Sequence, residues 1–290
     1  YVDSPYPPAR IVYGDDGLPE HQGDHEVEFF AVIPQSLAAE GAAPGRLLHY
    51  GHGFFLGGFQ VADPWQAELA NDMELVMVGT HWAGMSDDDI VVAASMLSDL
   101  NGFPQLTDRL MQGVINQLVL TRTMIGACAL DAAFQIDDHT AFDPENRYFL
   151  GISLGSIMGS TTMSLSQDID RAVLHVGGNV FPMMEARSIN FEQFETVYSG
   201  WYPSRIDREF YWSIFGHLWD KAEPVTYLPH LIDDPFPDTP PKKVLYPIAL
   251  NDAEVPNIAS DAAGRTAGFS LLTPSPHEVW GMDEAPPTPY

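Results

Sequence analysis

Cations and cysteine are both scarce in this chain. Thirteen Lys and Arg stand against forty Asp and Glu, a formal net charge of −27. Such a field repels nucleic acid and anionic membrane surfaces, so neither is expected as a partner. The single cysteine, Cys128, excludes an intrachain disulfide, and its setting in a helix-like stretch suits a small buried apolar residue. No uninterrupted apolar run approaches the ~20 residues that cross a bilayer, so no integral membrane segment is expected. There is no G-x-G-x-x-G, no P-loop lysine and no spaced Asp/Asn/Gly loop of the calcium-binding kind. No metal and no organic cofactor is therefore expected. The first residue is Tyr1, not methionine, so the lack of a signal peptide carries no information on compartment.

What is present is globular. Of 290 residues, 45% are hydrophobic, enough for one large α/β domain with an insertion. Residues 1–17 read as an irregular lead-in, and residues 284–290 as the entry to a linker. Strands are expected over 26–33, 46–50, 75–80, 148–152, 171–176, 243–250 and 267–272. Helices are expected over 65–72, 90–100 and 108–134. Strands alternating with helices give a mostly parallel sheet flanked by helices. Ser86-Asp87-Asp88-Asp89 reads as a helix start, a cap residue followed by acids that suit the positive end of the dipole, in preference to a metal site.

Residues 180–240 break the alternation with an aromatic and methionine-rich helical pattern. This divides the chain into a core, 1–179 with 241–290, and a cap insertion, 180–240, that supplies an apolar wall.

The chemistry centres on Gly151-Ile152-Ser153-Leu154-Gly155. An apolar strand precedes it and a run of small apolar residues follows, the strand–turn–helix pattern of a nucleophile elbow. The glycines let strand and helix approach closely while the turn lifts the Ser153 hydroxyl above the sheet. A second glycine-rich loop, His52-Gly53-Phe54-Phe55, follows an earlier strand. It is expected to expose the N–H of Phe54, or of Phe55, opposite that of Leu154 as an oxyanion hole. His52, Phe55, Trp82 and Phe181 are the candidate substrate contacts, whereas His81 reads first as a structural histidine. Asp252 follows a late strand and His277 follows the last one. The order Ser153, Asp252, His277 is the nucleophile–acid–base order of a hydrolase built on such a sheet.

On these motifs, and on Asp252-Ala253-Glu254-Val255-Pro256, the chain resembles α/β-hydrolase esterases and lipases over nearly its whole length. The stretches Thr80-His81-Trp82-Ala83-Gly84-Met85-Ser86 and Leu106-Thr107-Asp108-Arg109-Leu110-Met111-Gln112-Gly113 also resemble a group of large bacterial exported lipase-like proteins. The resemblance implies an α/β-hydrolase fold, a Ser-His-Asp triad, an acyl-enzyme, no cofactor, a small or polymeric ester as substrate, and an exported protein. Those relatives continue past the position of Tyr290, which leaves two places open for the base: His277, or a histidine further along. Two other readings remain: a peptidase or amidase on the same scaffold, and an inactive hydrolase fold that serves as a binding module. The natural ester and the oligomeric state are not readable from the residues.

Overall fold

The structure, a computed structural model, describes residues 11–287. The first ten residues of the lead-in and the last three of the tail lie outside it. In chain order the described residues form β1 (Phe29–Val32), β2 (Gly45–Gly51), α1 (Pro64–Asp72), β3 (Leu75–Thr80), α2 (Ile90–Ser98) and α3 (Phe103–Ile125). Then come β4 (Gln135–Ile136), β5 (His139–Thr140), β6 (Phe142–Ile152), α4 (Leu154–Leu165) and β7 (Arg171–His175). The helices α5 (Phe181–Glu185), α6 (Glu192–Trp201), α7 (Arg205–Trp219) and α8 (Pro224–Tyr227) precede β8 (Lys243–Leu245). The last elements are α9 (Asn257–Thr266), β9 (Leu271–Leu272) and β10 (Glu284–Ala285).

The main sheet runs β1-β3-β2-β6-β7-β8. β1 is antiparallel to β3 and every other pair is parallel. Parallel strands bury both faces and so read as apolar runs; β3, Leu-Val-Met-Val-Gly-Thr, is buried at all six positions. β6 begins earlier than its apolar run suggests. Its register against β2 jumps between Arg46 and Leu47, so Pro144, Glu145 and Asn146 bulge out. Pro144 has no N–H for the ladder, and the Asp143 carboxylate takes the Glu145 N–H at 3.0 Å.

Three expectations change at the termini of elements. The long helix starts at Phe103 and stops at Ile125, and Cys128 sits half-buried in a short 3-10 turn beyond it. β8 stops at Leu245, because Pro247 cannot donate; only its carbonyl keeps pairing, accepting the Val176 N–H at 2.8 Å. The last strand does not join the main sheet. Ala267 and Gly268 close α9 instead, and Leu271–Leu272 pairs only with β10 in a two-stranded ribbon.

By length and hydropathy the stretch 100–130 reaches across a bilayer. Here Leu110 and Val114 of α3 enter one apolar cluster and Leu120 and Met124 another. A buried polar strip fixes its rotation: His49 of β2 bonds Thr121 at 2.8 Å and Gln117 at 2.6 Å, and Gln117 donates to the Thr80 carbonyl. The helices between β7 and β8 have no separate core. Phe181, Phe191, Phe194, Trp212 and Trp219 are continuous with Trp82, Phe103, Leu154 and Met158. On the other face of β2, β6, β7 and β8 an open apolar groove runs past Leu48, Tyr148, Val173 and Leu245, with Arg46, Arg171 and Lys243 among its lining.

Candidate active site

Ser153 joins β6 to α4 with φ 56° and ψ −120°, a left-handed conformation that costs a non-glycine residue about 1–3 kcal/mol and persists only where its surroundings enforce it. They do so here. A Cβ at Gly151 would stand 2.1 Å from the Gly155 carbonyl oxygen, and one at Gly155 only 1.9 Å from that of Gly51. The two glycines thus let α4 lie directly on β2 and β6. The Ser153 N–H donates to the His175 carbonyl at 3.0 Å, pinning the turn to β7. Every residue of α4 from Leu154 to Ser164 is buried.

In the second glycine-rich loop, hydrogen bonds occupy two of the N–H groups. The Phe55 N–H donates to the Met85 carbonyl at 3.1 Å, and the Gly53 N–H to the Gln60 side chain at 2.9 Å. Among the described residues, the N–H groups of Phe54 and Leu154 have no acceptor. Phe54, Ser153 and Leu154 line one small cavity. Of the two candidates, Phe54 therefore keeps the free donor.

Neither His52 nor Trp82 lines the Ser153 cavity. His52 is fully buried; its Nδ1–H donates to the Gly53 carbonyl at 2.8 Å and its Nε2 accepts the Trp82 N–H at 2.7 Å. Burial holds its pKa far below the usual range, at about 3, so the ring stays neutral and ties the β2 loop to the β3 loop. Trp82, also fully buried, packs in the core. The Ser86–Asp89 start is a capping box, and Asp89 also takes the Gly84 N–H and pairs with Arg109 at 2.5 Å. His81 is partly exposed, within 4 Å of carboxylates of Glu28 and Asp87.

Phe181 lines the Ser153 cavity, together with Met184, Ser188, Glu254 and Val255. Phe55 lines an adjoining apolar cavity with Met96, Phe103, Phe194, Trp212 and Trp219. Phe54 and Glu185 border both. Glu185 had no motif to announce it, only its place as the one acid in Phe-Pro-Met-Met-Glu. Burial, with the Glu223 carboxylate as a second cause, pushes its pKa up to about 8. Glu223 is raised to about 7 by burial, although both its oxygens accept the Phe181 N–H, at 2.9 and 3.1 Å.

The acid and base are where the expected pairing changes. Asp252 does lie beyond β8, and Glu254 and Val255 of its loop reach the Ser153 cavity. Its Oδ1, however, accepts the N–H groups of Glu254 and Val255, at 2.8 and 3.0 Å, and holds its own turn. The His277 ring is bonded through Nε2 to Asp261 of α9, at 3.0 and 3.2 Å. Asp261 lies mid-helix, one turn from each end of α9, in a stretch without a sequence motif. No histidine lines the Ser153 cavity among the described residues, and no group of three metal-ligating side chains occurs among them.

No family model matches the chain, and no curated protein matches it by sequence. Solved structures do match by shape. The chain is similar to acetyl xylan esterase 1 from Thermoanaerobacterium sp. JW/SL YS485, with a TM-score of 0.51, 14% identity, 83% of this chain covered and 69% of that one. It is equally similar to a puromycin-hydrolyzing peptidase of Mycobacterium tuberculosis, with a TM-score of 0.51, 13% identity, 90% of this chain covered and 33% of that one. The chain thus spans about a third of that peptidase. Esterases and peptidases both stand on this scaffold, and the architecture of the chain is the α/β-hydrolase fold.

Proposed function

We propose that this chain is a serine carboxylester hydrolase acting on apolar esters, with residues 180–240 as a cap over the site. The observation that carries the reading is the strained Ser153 elbow, set in one small cavity with Phe54 and Leu154, whose N–H groups are unpaired among the described residues, next to an aromatic cavity that Phe54 and Glu185 also border. Ser153 Oγ attacks the ester carbonyl, and the oxyanion forms between the Phe54 and Leu154 N–H groups. His277 takes the serine proton and returns it to the leaving alcohol, and water then hydrolyses the acyl-enzyme. Two carboxylates compete to orient His277: Asp261, which holds it in this structure, and Asp252, at the end of β8. Export from the cell is part of the same proposal and rests on the sequence resemblance alone.

The test is p-nitrophenyl butyrate hydrolysis by the chain and by Ser153→Ala, with fluorophosphonate labelling alongside. Turnover and labelling that both vanish in Ser153→Ala support the reading. An unlabelled, inert wild type favours the second one, a hydrolase fold that binds without turnover. The absence of a histidine from the Ser153 cavity among the described residues speaks for that alternative.

A further inference from the structure

Parallel strands normally have both faces covered by helices. In β6, β7 and β8 only one face is covered. Side chains at alternate positions share a face. Phe149, Ala172 and Leu174 are buried in the cluster that includes Leu154 and Met158 of α4. On the opposite face Tyr148, Leu150 and Val173 are only half-buried, and Leu245 is 43% exposed. The register sets Leu150, Val173 and Leu245 in one row across the sheet, and Arg171 beside Lys243 in the row before it. Leu69 of α1 and Met73 just beyond it form one wall of the groove above these rows, and no other helix lines it among the described residues. Its free volume is about 420 Å³, a space that close-packed interiors do not leave. Arg46, Arg171 and Lys243, three of only thirteen Lys and Arg in the chain, line it, and no described acid does. Each stands at the start of its strand. Arg46 donates to the Met73 carbonyl. The side chains of Arg171 and Lys243 have no hydrogen bond or ion pair among the described residues, in a chain with forty Asp and Glu.

We infer that this groove is the docking site for an amphipathic helix of another polypeptide, aliphatic on one face and with Asp or Glu near its C-terminal end. The inference is independent of the esterase reading. Width favours a helix. From β2 to β8 the floor crosses three strand spacings, about 14 Å, and a helix with its side chains is about 10–12 Å across. A single alkyl chain is much narrower and would leave most of the floor in water. Charge specifies the rest. Carboxylates above the Arg171–Lys243 row supply the partners that these two cations lack. A helix laid antiparallel to the strands also brings its C-terminus to that end, where its unpaired carbonyls suit cations. A second copy placed on this face by a two-fold axis would instead set the same cations against one another. An anionic lipid surface is repelled by the net charge of −27.

The test is binding of a fluorescein-labelled peptide of about four helical turns, with leucines at i, i+3, i+4 and i+7 and glutamates in its last turns. A second peptide carries lysines in place of the glutamates. Fluorescence anisotropy gives the affinity, and circular dichroism the helix gained on binding. The glutamate peptide is expected to bind as a helix, about tenfold or more tighter than the lysine peptide. Arg171→Glu combined with Lys243→Glu, both at exposed positions, should reverse that preference. Val173→Asp should abolish binding of both peptides, and the exposed pair serves should Val173→Asp fail to fold. Equal affinity for the two peptides, binding of neither, or a preference unmoved by the charge reversal overturns the docking site. So does binding without a gain of helix, which would make the edge of β8 the site of an added strand. Tighter binding of dodecanoate than of the glutamate peptide would give the groove to a lipid anion. A dimer in sedimentation that Val173→Asp dissociates would give it to a second copy, and either result overturns the helix.

Discussion

The serine end and the histidine end of the candidate site are held in opposite ways. Ser153 is fixed by long-range structure: β6 is paired on both sides, α4 is buried along its length, and two glycines meet backbone from other elements. The His277 ring is held by one side chain, Asp261, and its backbone bonds to Ser275, two residues back. It lies between two strands of two residues each, which pair only with one another, and its side chain is one-third exposed beside Asp261. Trp280, three residues on, is 86% exposed. An element with many independent constraints keeps a strained conformation, and one with a single contact does not. Ser153 is therefore pre-organised by the core, whereas the position of the His277 ring depends on its bond to Asp261.

Glycine substitution is the sharpest way to break this comparison. A methyl at Gly155 has no room against the Gly51 carbonyl, so we expect Gly155→Ala to cost about 4 kcal/mol or more, if it folds at all. Gly281, beyond His277, has φ +82° but its nearest neighbour is the Arg265 side chain at 3.5 Å. There Ala should cost only about 1 kcal/mol, the strain of the left-handed conformation. Urea denaturation of both variants measures the contrast, and equal losses would mean that the two ends are held alike.

Activity gives the next contrast. Ser153→Ala should lower p-nitrophenyl butyrate turnover by about 10³-fold or more, and His277→Ala should match it if this histidine is the base. A dead Ser153→Ala beside a nearly normal His277→Ala would move the base to another histidine. Asp261→Asn and Asp252→Asn then decide between the two carboxylates. The ion pair seen here predicts a loss of about tenfold or more for Asp261→Asn, with a smaller one for Asp252→Asn, whose acid otherwise holds its own turn. The reverse order would show that His277 leaves Asp261 when it works.

The same contrast explains what could be read from the residues. Gly151-x-Ser153-x-Gly155 is legible because steric necessity writes itself into adjacent positions: only glycine fits where two backbones touch. The Ser86–Asp89 cap is legible for a similar local reason. The Asp261–His277 pair joins a mid-helix acid to a loop sixteen residues on, and no periodicity marks such a pair. His52 looked like a substrate contact because a histidine after a glycine-rich strand end suits either role, and only burial of both ring nitrogens distinguishes them. Glu185 was obscured by its aromatic neighbours, since an acid in an apolar run reads as the polar face of a helix until the helix is seen to be enclosed. Of the strand expected over 267–272 only Leu271–Leu272 forms, because Ala267 caps α9 and the pairing partner, β10, lies ahead in the chain.

The smallest expected effect lies in pH, and it belongs to the serine end. The raised pKa of Glu185, about 8, means that the native chain keeps this proton after the unfolded chain, near the ordinary value of 4.5, has lost it. Over that window the native state binds more protons, so stability falls as pH rises, by at most about 1.4 kcal/mol per unit for one group. Glu223 acts in the same direction up to about 7. His49 and His52, lowered to about 4 and about 3, act oppositely, but only below their ordinary value of 6.5. Between pH 7 and 8 Glu185 is accordingly left as the main contributor among these four. Glu185→Gln cannot ionise, so the decline in Tm across that interval should flatten in the variant while persisting in the wild type. An unchanged slope would mean that Glu185 is already ionised in the folded chain.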